Sequence, residues 1–285
     1  MPRVWKSANP TSRPEGKGMK TRVVSALVLF AIAAVMLLAS EFTRLLFMYI
    51  ASIIIVYEYT ARLKEKGIRI VHWAIYGMLT AGFVLAITHC GPMTYIADFL
   101  ICMCVSFFVA VVSQKISSTG ALYTIGGLAY PGFIALVFFI VVTSEHWHQA
   151  LLIGCFSVFV CDTFCLLGGK WFGKHKLCPA VSPKKTWEGS ITGAVSSLIL
   201  GVPVYFAAKL FAPLPLWFCF VACLLSSTAG QIGDLAESLI KRHLGVKDFS
   251  NLIPGHGGLF DRADSLFFSL PTAYFCLYCL NYFSK

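Results

Sequence analysis

Long apolar runs, separated by short polar segments, dominate this chain of 285 residues. A helix that crosses a bilayer needs about 20 mainly apolar residues. Only 13% of the residues are charged, whereas soluble domains carry roughly 25%, so too few charges exist to cover a water-soluble globule. The pattern predicts an all-α, polytopic integral membrane protein. We predict about nine transmembrane helices, near residues 23–40, 45–57, 73–90, 93–112, 121–143, 149–167, 190–208, 214–230 and 265–282.

The distribution of lysine and arginine predicts which ends of these spans face the cytoplasm. Cytoplasmic loops of membrane proteins hold an excess of both residues. With the N-terminus inside, the inner segments contain 20 of the 23 basic residues and the outer segments contain 3. The N-terminus is therefore predicted to be cytoplasmic. Three regions follow from this layout: a basic cytoplasmic tail at 1–22, N-terminal membrane helices at 23–160, and a membrane region at 161–285 with cytoplasmic loops 168–189 and 231–264.

Acidic residues concentrate in and beside the two long inner loops. Seven of the 13 Asp and Glu residues follow residue 160, namely Asp162, Glu188, Asp234, Glu237, Asp248, Asp261 and Asp264. Asp162 interrupts an apolar run, where a carboxylate costs about 3 kcal/mol and needs a partner or water. Asp98, in the fourth span, has no polar neighbours in sequence and is interpreted as a buried pairing partner or a snorkelling acid.

The segment 230–242 places a polar stripe on one side of a predicted helix. Asp234, Glu237, Ser238 and Lys241 stand at positions i, i+3, i+4 and i+7, which share one helix face. A solvated face with one ion pair would explain this stripe if it stood alone.

The loop that follows combines glycines with one histidine and two acids. The three glycines around His256 allow positive φ and leave backbone N–H groups open to a closely approaching ligand. Asp261 and Asp264 share a face at the start of the last span. Such loosely spaced oxygen donors suit Mg²⁺, which takes one or two carboxylates and completes its shell with phosphate and water. Helix capping alone would explain the two acids, but it leaves the glycine-rich loop and the acidic stripe unexplained.

The loop 168–189 carries a predicted helix start and a group of lysines. Ser182 as N-cap with Pro183 at the first position is a helix-start signal. A helix N-terminus flanked by Lys184 and Lys185 would bind an anion. Positive-inside charge alone also explains these lysines and stays open. The segment 168–174 has the P-loop spacing, but His175 follows where Ser or Thr is required, so we reject that interpretation.

Together these residues resemble the bacterial phosphatidate cytidylyltransferase (CDP-diglyceride synthase) family. The family signature is Ser-x-apolar-Lys-Arg, four residues, Lys-Asp, and then Pro-x-His-Gly-Gly-apolar-x-Asp-Arg-apolar-Asp. This chain has the corresponding residues at Ser238–Arg242, Lys247–Asp248 and Pro254–Asp264, with Ala263 where a larger aliphatic residue is usual. Three upstream segments are also similar: Asp162-Thr163, Gly173-Lys174-His175 and Ser182–Gly189. The resemblance is specific over about 160–265, and hydropathy alone carries it before that.

The resemblance implies an enzyme of phospholipid biosynthesis that joins CTP and phosphatidate to give CDP-diacylglycerol and pyrophosphate. The second pKa of a phosphomonoester is near 6, so the attacking oxygen is already anionic at neutral pH. Catalysis then depends chiefly on positioning two polyanions and neutralising their charge. Region 161–285 is accordingly predicted to be catalytic, in a bacterial inner membrane with the active site facing the cytoplasm.

The resemblance also implies roles for individual residues. The implied ligands of Mg²⁺, as one ion or two, are Asp234, Asp261 and Asp264. The implied catalytic residues are Asp234, Lys241, His256, Asp261 and Asp264, with His256 as a phosphate hydrogen-bond donor. The implied substrate-binding residues are Ser182, Lys184, Lys185, Arg242, Lys247 and Arg262. Glu237 and Asp248 would orient the lysines.

Other partners and functions stay open at this point. The predicted partners are CTP, phosphatidate in the bilayer and membrane lipid, without nucleic acid, and assembly as a homodimer is left open. A CTP-dependent transferase acting on an isoprenoid lipid is the alternative enzyme. An ion-coupled transporter could use Asp98 and Asp162 as intramembrane ion sites. A structural scaffold would not need His-Gly-Gly beside paired acids.

Overall fold

The structure is a computed structural model that describes residues 40–113, 115–253 and 257–283. The helices in these ranges are α1 (Glu41–Glu65), α2 (His72–Ile87), α3 (Pro92–Val112), α4 (Ser118–Gly127), α5 (Ile134–Thr143), α6 (Trp147–Trp171), α7 (Trp187–Ala208), α8 (Leu216–His243), α9 (Phe260–Ala263) and α10 (Leu266–Phe283). The strands are β1 (Lys176–Cys178) and β2 (Ser182–Thr186). A π-helical turn at Leu128–Phe133 joins α4 to α5, and Pro131 lies within it.

The mainly helical, many-span architecture is confirmed. Within the described ranges, 7 helical segments are long and apolar enough to cross a membrane. Helix α2 is apolar but has only 16 residues, about 24 Å at 1.5 Å per residue. Each predicted span from 45–57 onward coincides with one of these segments or with α2. The basic tail and nearly all of the predicted span 23–40 lie outside the described residues, so the count of nine stays a prediction.

Helix α8 corrects the predicted boundary of the second long loop. It continues without interruption to His243, whereas the sequence suggested that a loop begins at residue 231. The polar stripe of this helix therefore extends the helix beyond its apolar part, and the loop proper begins at Leu244. The first loop is also shorter than predicted, because α6 reaches Trp171 and α7 begins at Trp187.

A small β-hairpin corrects both the all-α prediction and the predicted helix start at Ser182. Strands β1 and β2 are antiparallel, and Ser182 pairs with Cys178. Pro183 therefore lies in a strand rather than in the first turn of a helix. Thr186 is the N-cap of α7 instead, because its hydroxyl oxygen accepts a hydrogen bond from the Gly189 N–H at 3.2 Å.

Two apolar clusters hold the helices together. One joins α1, α2 and α5 around buried residues such as Ile75, Leu136 and Phe139. The other lies between α5, α6, α7, α8 and α10. Small residues let some of these helices approach closely. At Gly193 of α7, for example, an added Cβ would lie 2.8 Å from the Cys161 carbonyl of α6.

A third cluster connects the two halves at one end of the molecule, where α1 packs against the segment that leads into α10. Arg242 at the end of α8 donates from Nε to the Val181 carbonyl of the hairpin at 3.1 Å. The Tyr59 hydroxyl of α1 donates to the Tyr123 carbonyl of α4 at 2.8 Å. The ends of alternate helices therefore meet on one side, as the predicted alternation of loops requires.

Candidate active site

Helix α8 carries an ion pair network at the end where these loops meet. Lys241 Nζ lies 2.5 Å from Glu237 Oε2 and 3.0 Å from Asp261 Oδ1. The Glu237 side chain is 0% exposed and that of Asp261 1% exposed. Three charges buried together need one another, because a buried charge without a partner is strongly unfavourable. The network therefore fixes the start of the last span against α8.

Asp261 also organises the glycine-rich loop before it. Its Oδ2 atom accepts hydrogen bonds from the backbone N–H groups of Phe249 at 2.9 Å and Gly258 at 2.8 Å. Gly257 adopts φ of +89°, a conformation that favours glycine. The positive φ expected in this loop is thus confirmed at Gly257. His256, the predicted phosphate donor, lies outside the described residues.

The expectation that this loop offers free backbone N–H groups is wrong for its described part. The Gly257 N–H donates to the Ile253 carbonyl at 3.2 Å. The N–H groups of Leu259 and Phe260 donate to the carboxylate of Glu58 at 3.0 and 2.8 Å. Because the carboxylates of Glu58 and Asp261 already accept from these groups, contacts with a phosphate would come from side chains here.

Three carboxylates from distant parts of the chain form a second group beside this network, which we name the carboxylate cluster. Asp162 of α6, Asp234 of α8 and Asp264 between α9 and α10 lie close enough to repel one another electrostatically. Gly233 permits this approach, since a Cβ there would lie 2.5 Å from the Asp264 carbonyl. Asp162 is exposed at the protein surface, and Asp234 and Asp264 are half-buried.

Three basic side chains lie within electrostatic reach of the carboxylate cluster, namely Lys185, Arg262 and Lys241. Lys185 Nζ lies 2.5 Å from Asp234 Oδ2, and both side chains keep about a quarter of their surface exposed, 27% and 28%. With Glu237 and Asp261, which pair with Lys241, five carboxylates face these three cations. An additional positive charge would therefore stabilise the arrangement.

The chemistry of the cluster fits a divalent cation that shares its coordination shell with a phosphate. Within the described ranges, no group of three His, Cys, Asp or Glu side chains is arranged to hold a metal ion. Mg²⁺ does not need such a group, because it commonly uses one or two carboxylates together with water and substrate phosphates. Asp234 and Asp264 are half-buried and offer suitable oxygens, although Asp234 also contacts the Ser238 hydroxyl and Lys185. Asp261 is 1% exposed, and both of its oxygens accept hydrogen bonds.

The other predicted substrate-binding residues differ in their exposure. Lys184, Lys247 and Arg262 are exposed, and Ser182 and Arg242 are half-buried. The hairpin that carries Ser182, Lys184 and Lys185 is braced at its base by Glu188. The Glu188 carboxylate accepts from the backbone N–H groups of residues 174 and 175 at 3.1 and 3.2 Å, and it lies 2.6 Å from the His175 ring. This brace holds the strand whose Lys185 contacts the carboxylate cluster.

Sequence reasoning assigned no role in the site to two acids that the structure places beside it, Asp162 and Glu58. Both are carboxylates at the edge of or inside an apolar run, and that interruption was the available signal. The structure brings Asp162 to the carboxylate cluster and Glu58 to the glycine-rich loop. Asp98 lies elsewhere, on α3, where its Oδ1 accepts from the Cys102 thiol at 3.6 Å.

Comparisons with known proteins agree with the site chemistry. The sequence model of the cytidylyltransferase family matches residues 20–280. The phosphatidate cytidylyltransferase of Staphylococcus aureus (strain COL) is 35% identical over 260 residues, which cover 89% of this chain and 96% of that protein. The phosphatidate cytidylyltransferase of Staphylococcus haemolyticus (strain JCSC1435) is 32% identical over 257 residues, with the same coverage of 89% and 96%.

Proposed function

This chain belongs to the cytidylyltransferase family, and we propose that it transfers the cytidylyl group of CTP to phosphatidate, which gives CDP-diacylglycerol and pyrophosphate. The observation that carries this proposal is the carboxylate cluster, in which α6, α8 and the start of the last span meet beside Lys185 and Arg262. Relatives with the printed name phosphatidate cytidylyltransferase support the choice of lipid. The enzyme is a nucleotidyltransferase.

Basic side chains would bring the two anionic substrates together. The phosphate of phosphatidate is anionic at neutral pH, so the site needs no strong base to generate the nucleophile. Lys185 and Arg262 reach the cluster. Exposed Lys184 precedes Lys185 in β2, and exposed Lys247 lies in the loop after α8. We assign the triphosphate and the lipid phosphate to this basic set together with Ser182 and Arg242. Positioning and charge neutralisation then supply most of the catalysis.

Mg²⁺ is the proposed cofactor, with Asp234 and Asp264 as its ligands and Asp162 as a further neighbouring charge. A bound divalent cation would neutralise the phosphate oxygens and stabilise the leaving pyrophosphate. The role of Asp261 as a ligand stays a prediction, because its oxygens accept from Lys241, Phe249 and Gly258. In the structure this residue orients Lys241 and the loop. A second cation, membrane lipid as a partner and assembly as a homodimer also stay predictions.

The site is proposed to face the cytoplasm of a bacterium, with the N-terminus on the same side and nine spans in all. The excess of lysine and arginine at the site end supports this orientation. Two native cysteines test it, since Cys178 lies in the hairpin and Cys90 in the turn at the opposite end of the helices. Variants that keep only one of them should react with an impermeant maleimide from opposite sides of the membrane. Labelling of Cys178 from outside would refute the orientation.

The activity is tested with purified protein, labelled CTP and a panel of lipid phosphates in detergent micelles. We expect Mg²⁺-dependent transfer of the cytidylyl group to phosphatidate and release of one pyrophosphate for each lipid formed. Polyprenyl phosphate and an isoprenoid-glycerol phosphate serve as comparison acceptors. Preferential transfer to either would replace phosphatidate as the substrate, and transfer to none of the lipids would refute the proposed activity.

A further inference from the structure

Glu58 is a buried acid of α1. Among the described residues, all of its hydrogen bonds are to the loop before the last span. Glu58 is 3% exposed. Its Oε1 accepts from the Ser250 hydroxyl at 2.6 Å and from the Leu259 N–H at 3.0 Å. Its Oε2 accepts from the Phe260 N–H at 2.8 Å. One carboxylate therefore gathers three donors that lie about 200 residues further along the chain.

Arg62, one turn further along α1, holds the other end of the same loop. Its Nε donates to the Phe249 carbonyl at 2.5 Å. We call Glu58 and Arg62 the α1 clamp. Phe249 and Phe260 are the residues bonded at the two ends of the loop. Their rings pack against each other, with 4.6 Å between the centroids. The α1 clamp thus sets the separation and orientation of the loop ends.

The same loop leads directly into the proposed site. Phe249, whose carbonyl accepts from Arg62, donates its N–H to Asp261 Oδ2. The Asp261 Oδ1 atom in turn accepts from Lys241 at 3.0 Å. Arg262 and Asp264 follow within one helical turn of Asp261. The placement of these side chains therefore depends on where α1 holds Phe249, Leu259 and Phe260.

We infer that Glu58 is a positioning residue of the active site, which acts through the N–H groups of Leu259 and Phe260 to place Arg262 and Asp264 for CTP. This inference rests on the proposed function, because it assigns the placed residues to that reaction. It gives the first helix of the described chain a role in catalysis, whereas the signature motifs read from the sequence begin only at about residue 160. Hydrogen bonds to a buried carboxylate are strong and directional, which suits such a role.

The direct test is Glu58→Gln, with Glu41→Gln as the matched control at the exposed start of the same helix. Glutamine at 58 turns one acceptor into an N–H donor that faces the donors of the loop. We expect kcat/KM for CTP to fall at least about tenfold, with part of the loss as a raised KM. Amide exchange should accelerate at Gly258, Leu259 and Phe260 but stay unchanged in α7. A merely structural defect would lower the active fraction and leave KM for CTP unchanged.

A second variant keeps the test decisive if Glu58→Gln does not fold. A Cβ at Gly258 would lie 2.6 Å from a Glu58 carboxylate oxygen, so Gly258→Ala should displace the carboxylate and reproduce the raised KM and faster exchange. If the folded variants keep both the wild-type exchange rates and the wild-type KM, the inference is wrong. Amide exchange needs no substrate, so the two claims can fail separately. If the variants exchange faster at this loop but the wild type does not turn over CTP, the proposed function is refuted and the α1 clamp is not.

Discussion

The sequence assigned Asp261 and Asp264 together as ligands of Mg²⁺, whereas in the structure Asp261 holds Lys241 and the glycine-rich loop. The structure therefore predicts different outcomes for Asp261→Asn and Asp264→Asn. Asp261 is 1% exposed and accepts from Lys241, Phe249 and Gly258. Asp264 is half-buried, and its Oδ1 accepts from the N–H of the next residue, Ser265, at 2.6 Å. Asparagine at 264 can keep that single bond. At 261 the NH₂ group of asparagine must face either the Lys241 ammonium or the N–H groups of Phe249 and Gly258.

The cost at position 261 can be worked out from these contacts. Removing one partner of a buried ion pair costs about 3–5 kcal/mol. Lys241 keeps Glu237 at 2.5 Å, so we expect a smaller loss, about 2–3 kcal/mol, which lowers Tm by several degrees. Asp264→Asn should stay within about 0.5 kcal/mol of the wild type. Both variants should lose CDP-lipid formation by about 100-fold or more, the first through misplaced Lys241 and the second through lost cation binding.

Two measurements on the same purified samples check this contrast, thermal unfolding in detergent and transfer from labelled CTP. Isothermal titration with Mg²⁺ and a nonhydrolysable CTP analogue adds a readout that does not need turnover, and binding should weaken most for Asp264→Asn. Wild-type Tm for Asp261→Asn would refute the ion pair argument. Full activity of Asp264→Asn would refute its role in holding the cation.

Three further outcomes follow from the same contacts. Lys185→Gln should lower kcat/KM for CTP at least about tenfold. It should change Tm little, because the ion pair of Lys185 with Asp234 is partly exposed. The neighbouring Lys184→Gln should lower kcat/KM less, and equal effects would contradict a role for the Lys185–Asp234 contact. Gly233→Ala should destabilise the protein by about 1–3 kcal/mol, since its Cβ would lie 2.5 Å from the Asp264 carbonyl. The control Gly77→Ala, with open space around it, should stay within about 1 kcal/mol of the wild type or be more stable. Thermal unfolding compares the two variants. Chelation with EDTA should abolish transfer and added Mg²⁺ should restore it, so activity that persists in EDTA would rule out the proposed cofactor.

Local pattern was sufficient to predict the membrane helices and the group of acids on α8. Hydrophobicity and helical periodicity depend only on neighbouring residues, so the spans from 45–57 onward and the shared face of Asp234 and Lys241 are readable from the chain. The prediction failed at Ser182, where a local helix signal lost to pairing with Cys178. It also failed at residue 231, because α8 continues beyond its apolar part.

The sequence by itself determined that this chain is a helical membrane protein whose basic and acidic residues gather on one side, because both follow from composition along the chain. Only the tertiary structure decided which acids meet. Asp162 joins Asp234 and Asp264 through helix packing, while Asp261 turns to Lys241 and Glu58 closes the loop from the far half of the chain. A carboxylate's role depends on the donors and charges around it, and here those come from residues up to about 200 positions away.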